Sequence, residues 1–70
     1  MKLLIVIEKT RTGFSAYSPD LQGCVATGET RKQVERNMRK AIEFHLAGMR
    51  AEKIKVPVPR SYSAYVEVPA

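Results

Sequence analysis

Apolar positions along the chain change their period three times, and each change marks an element. Residues 2–8, "KLLIVIE", form an unbroken aliphatic and β-branched run too short for a typical helix, which predicts a strand apolar on both faces and therefore central in its sheet. Polar "KTRTG" interrupts the run at Gly13, after which Phe14 and Ala16 alternate with Ser15 and Tyr17 as a second strand returning in a hairpin. Pro19 and Asp20 stop that strand. Alternation resumes from Cys24 to Thr27 as a short third strand closed by Gly28, so the first half of the chain predicts a three-stranded antiparallel meander.

The period then lengthens. Thr30 precedes Gln33 by three positions, the spacing at which an N-cap hydroxyl and a side chain reaching back satisfy two free backbone N–H groups. At about 100° per residue, Val34, Met38, Ala41, Ile42, His45 and Met49 fall on one arc. Lys32, Arg36, Arg39, Lys40 and Arg50 occupy the other with Glu35 and Glu43, so an amphipathic helix of about five turns is expected. "KIKVPVPRS", residues 53–61, carries two alternate prolines that forbid helix and favour an extended crossing. In "YSAYVEV", residues 62–68, Tyr62, Ala64, Val66 and Val68 alternate with Ser63, Tyr65 and Glu67, which predicts a last strand with its larger apolar side inward. The resulting order is βββαβ, an α+β domain in which a right-handed crossover places the fourth strand parallel to the first and the helix covers one face.

A single helix leaves the opposite face of the sheet bare. Because the first strand is apolar on both sides, that face should expose Leu4 and Val6, or Leu3, Ile5 and Ile7, together with Tyr17 and Tyr65. Such a patch on a small protein points to self-association or to a partner. Seventy residues make one domain, 1–70, close to the size at which folding buries only about 60% of the unfolded chain's surface.

Charge and chemistry narrow the function further. Twelve basic against seven acidic residues give +5, compatible with nucleic acid or with an acidic partner. One cysteine allows no internal disulfide, and no apolar run is long enough for a signal peptide core or a membrane span, so the cytoplasm is the expected compartment. Cys24 would need a base to act as a nucleophile, yet His45, the one imidazole, lies on the apolar arc. A small buried residue is the better reading. No His, Cys and acidic cluster has zinc-like spacing, and Glu8, Glu43 and Glu67 do not converge as carboxylates around two metal ions would, so neither metal, cofactor nor catalysis is expected. The basic arc, with Arg31, Lys32, Arg36, Arg39 and Lys40, could track phosphates, but Glu35, Arg39 and Glu43 at i, i+4 have the pattern of a solvated face and no aromatic interleaves for base stacking.

"GFSAYSPDLQGCVATGET", followed by "RKQVERNMRKAIEFHL", a proline-containing crossing and a tyrosine- and valine-rich end, resembles the HicB antitoxin family over essentially the whole chain. Its most specific stretch is Pro19-Asp20-Leu21 with Gly23-Cys24, then Gly28 and Thr30. The resemblance implies a partial ribonuclease-H-like βββαβ fold without catalysis of its own. It also implies a partner, a HicA-like toxin: a small ribonuclease with a double-stranded-RNA-binding-like fold that cleaves messenger RNA with a histidine and whose active surface the antitoxin masks. Many members carry a further C-terminal DNA-binding segment; none follows the expected last strand here, so promoter DNA is not an expected partner. Lys53 stands in a stretch where relatives often have glycine before the prolines, and an inhibitor of an RNA-binding toxin is usually acidic where this one is basic. Leu4, Val6, Tyr17, Asp20 and Tyr65 are the expected interface with toxin or with a second copy in a homodimer or higher assembly. Arg31, Lys32, Arg36, Arg39 and Lys40 are the alternative nucleic-acid contacts.

Overall fold

A computed structural model describes all residues, 1–70. Strands β1 (Val6–Lys9), β2 (Phe14–Ser18) and β3 (Leu21–Gly28) form an antiparallel sheet in the order β1-β2-β3, and helix α1 (Arg31–Ala51) packs across one face of it, mainly over β3 and β2. The β1–β2 turn is closed twice: the Thr10 amide donates to the Gly13 carbonyl at 2.8 Å, and the Gly13 amide donates to Thr10 Oγ1 at 3.0 Å. Between β2 and β3 the turn is Pro19–Asp20, with Ser18 opposite Leu21. Tyr17 faces Val25, so Gln22, Gly23 and Cys24 bulge out of the ladder, and Gly23 takes the positive φ, 79°, that the bulge requires.

The core is small and continuous. Ala16, Leu21, Cys24, Val34, Met38 and Leu46 are buried, and Leu3, Ile5, Ile7, Phe14, Ala26, Ala41, Ile42, Met49 and Val56 pack around them. Gly28 is needed less for its φ than for its size, since a Cβ there would stand 2.6 Å from the backbone nitrogen of Val34. The sheet and the start of the helix can therefore approach to backbone contact.

Side chains close the start of the helix and backbone amides close its end. Thr30 Oγ1 accepts from the Gln33 amide at 3.1 Å, while Gln33 Oε1 accepts from the amide of Glu29, one residue earlier than in the usual reciprocal box. At the other end Lys53 sits at φ 59°, its amide donates to the Arg50 carbonyl at 3.0 Å, and the Ile54 amide donates to the Met49 carbonyl at 2.8 Å. This pair of bonds is the Schellman closure, with a lysine in the left-handed position that glycine fills best.

Three expectations are corrected. First, β1 is an edge strand and not a central one; its ladder starts at Val6, and Leu4 is held instead through its carbonyl, which accepts from the buried Ser18 hydroxyl at 2.9 Å. Second, β3 begins at Leu21, three residues before Cys24, because the two-residue turn brings Leu21 straight back into register before the bulge. Third, no fourth strand forms within this chain. Residues 62–68 pair with nothing, and Tyr62, Tyr65, Val66 and Val68 are exposed. Alternation marks a segment able to pair, but it does not say which sheet edge lies within reach.

Candidate interaction surface

The sheet face turned away from α1 gathers the functional candidates by register. Val6 lies opposite Tyr17, and Tyr17 lies opposite Val25, so three apolar side chains run in one row across all three strands. Leu4, two positions before Val6, shares its side and is half-buried. Tyr17 is 42% exposed and Val25 66%, values that leave a wet apolar ridge on a domain whose core holds only six buried residues. The expectation for Leu4, Val6 and Tyr17 thus lands on one surface. Val25 was not among the expected residues, although its place between buried Cys24 and half-buried Ala26 implies the outer face by alternation alone.

Asp20 and Tyr65 do not join this row. Asp20 neither caps its own turn nor stands free: its carboxylate accepts from the Ser61 amide at 3.2 Å and from the Ser61 hydroxyl at 3.1 Å. A link across 41 positions fastens the start of the C-terminal tail to the β2–β3 turn. Tyr65 lies beyond that fastening, fully exposed.

Cys24 is 4% exposed, and burial pushes its thiol above the ordinary range, the reverse of what a nucleophile requires. His45 is half-buried on the helix face that packs on the sheet. No three His, Cys, Asp or Glu side chains stand close enough together to hold a metal ion. On the outer side of α1, Arg31, Lys32, Arg36, Arg39 and Lys40 are all exposed. Lys32, Arg36 and Arg39, with Glu35, rim a shallow groove whose floor is Leu3, Ile5 and Ile42.

A family model for the HicB-like antitoxin of bacterial toxin-antitoxin systems matches residues 3–70. The chain belongs to this family. Among solved structures, a chain of a HicA3 and HicB3 toxin-antitoxin complex superposes with a TM-score of 0.68 at 31% identity, covering 83% of this chain and 72% of that one. A UPF0150 protein of Helicobacter pylori is 37% identical over 54 residues, 77% of this chain and 75% of the relative. An uncharacterized 14.9 kDa protein from the rep-hol intergenic region of Haemophilus phage HP1 is 32% identical over 65 residues. That match takes in 93% of this chain and 49% of the phage protein, so the chain spans about half the length of this relative. The three antiparallel strands and single helix are the architecture shared with the HicB-like neighbour. No helix is long and apolar enough to cross a membrane.

Proposed function

We propose that this HicB-like chain is a non-enzymatic antitoxin that neutralises a HicA-like, mRNA-cleaving toxin in the cytoplasm by masking the toxin's active surface, and that it works as a homodimer or higher assembly. One observation carries the reading beyond family membership: the row of Val6, Tyr17 and Val25 on the face that α1 leaves uncovered. Aromatic and aliphatic side chains held rigid by a sheet lose little conformational freedom on docking, which is what a central contact patch needs. A buried, proton-retaining Cys24 supplies no competing chemistry.

Co-expression with the neighbouring gene tests the reading. The expected result is a stoichiometric complex with a small ribonuclease whose cleavage of messenger RNA stops when this chain is added. A neighbouring product that neither co-purifies nor loses activity would overturn it.

A second reading, RNA binding by the helix, draws on the gathering of Lys32, Arg36 and Arg39 around one groove, with Arg31 and Lys40 nearby in sequence. It requires affinity for RNA that falls steeply with salt in the absence of any toxin, because phosphate contacts act by counterion release.

A further inference from the structure

Residues 62–68 have the alternation of a strand and the exposure of a linker. Tyr62 is 88% exposed, Val66 82% and Val68 68%, a concentration of apolar surface that water does not favour. Nor is the tail collapsed onto the domain. The radius of gyration is 13.9 Å, against about 11 Å for a compact chain of this length, and the longest axis reaches 48 Å. The Asp20–Ser61 bonds fix the point from which the tail departs, while Pro57 and Pro59, both half-buried, stiffen the approach to it. The tail is therefore directed outward.

The same chain holds an unoccupied sheet edge. β1 pairs with β2 only, so the hydrogen-bonding groups on its other side are free, and the aliphatic residues 3–5 before it belong to no ladder at all. Beside this edge lies the groove floored by Leu3, Ile5 and Ile42. An apolar strand without a sheet and a sheet edge without a strand, which do not meet inside one copy, match between two.

We infer that two copies exchange tails, residues 62–68 of each adding as a fourth strand along the free β1 edge of the other. The contact is self-complementary, as a two-fold dimer demands, because each chain carries both halves. It supplies the βββαβ sheet that the alternation in the sequence calls for, completed in trans. The inference rests on the self-association within the proposed function and not on the identity of the toxin. It leaves the Val6–Tyr17–Val25 row on the sheet face, since strand addition occupies an edge.

Proline substitution in the full-length chain tests it, since proline removes an N–H from a ladder while costing an already extended, exposed segment little. Alternate residues direct their N–H groups to the same side, so two double variants cover both possibilities: Ser63→Pro with Tyr65→Pro, and Ala64→Pro with Val66→Pro. At least one pair should raise the dimer dissociation constant, read by light scattering across a dilution series, about 100-fold, equivalent to roughly two ladder hydrogen bonds. Thermal unfolding of the diluted monomer, followed by helix circular dichroism, should not change. In a mixture of differently isotope-labelled copies, contacts between residues 62–68 and residues 2–7 should connect different chains. The inference is overturned if both variants dimerise normally, if those contacts lie within one copy, or if the tail becomes protected only when toxin is added. A chain that stays monomeric at the concentrations used for nuclear magnetic resonance removes self-association altogether, while the co-expression result decides toxin binding separately.

Discussion

Cys24 shows how a single side chain can carry two readings until its neighbours are known. Its place in "PDLQGC" suits a reactive thiol in a loop, and it does lie at the edge of a bulge, yet it is the bulge that turns it under the helix into the core. The consequence is a measurable pH dependence. Burial holds the folded thiol protonated above the range in which the unfolded thiol ionises, so between those limits the folded state binds more protons and stability falls as pH rises. Well below about pH 8.5, the ordinary pKa of the unfolded thiol, the effect vanishes because the thiol is protonated in both states. Urea unfolding at pH 8 and pH 10 should show a larger loss for the native chain than for Cys24→Ala, the difference isolating the contribution of this thiol. Asp20 gives the opposite lesson. Local turn chemistry accounts for its presence after Pro19 but gives no hint of a partner 41 positions away.

At the scale of elements, the helix was the most legible part of the chain. A period of 3.6 residues over five turns and an N-cap with its glutamine partner are local signals, and the observed α1 begins at Arg31 directly after Thr30. Leu46 was missing from the expected arc yet is buried, because α1 packs over both β3 and β2 and so buries a broader face than an ideal stripe. Its C-terminus offers a test. Lys53 occupies a left-handed conformation that costs a side-chain-bearing residue about 1–2 kcal/mol, partly offset because glycine has more freedom to lose on folding. Lys53→Gly should therefore stabilise the domain by about 1 kcal/mol and raise the midpoint of thermal unfolding by about 4–8 °C. An unchanged or lowered midpoint would mean that the lysine stem makes contacts worth as much as the strain. The strands were less legible at their ends, where the Leu21 start and the three-residue bulge depend on pairing with β2.

For the whole molecule, the imbalance between one helix and a sheet with two faces is the organising fact. Docking on the bare face should be sensitive to Val25, which is two-thirds exposed and contributes little to folding. Val25→Asp should leave urea unfolding within about 0.5 kcal/mol of the native chain and yet weaken inhibition of the proposed toxin at least roughly tenfold, by setting a charge at one end of the apolar row. Equal inhibition by the two proteins would place the toxin elsewhere, with the basic groove the next surface to probe. Self-association through the tails is a separate matter, because an edge and a face of one sheet can be occupied at the same time.

By itself the sequence determined the helix and the places of the three meander strands, that one face of the sheet has no cover, and to which family the chain belongs, since periodicity, capping and local motifs act over a few residues. Only the tertiary structure decided that β1 is an edge, that Asp20 clasps Ser61, and that the last apolar segment leaves the domain rather than joining it. Those outcomes depend on which distant backbone groups come within hydrogen-bonding distance once the chain has folded, and alternation along a strand is the same whichever edge it will meet.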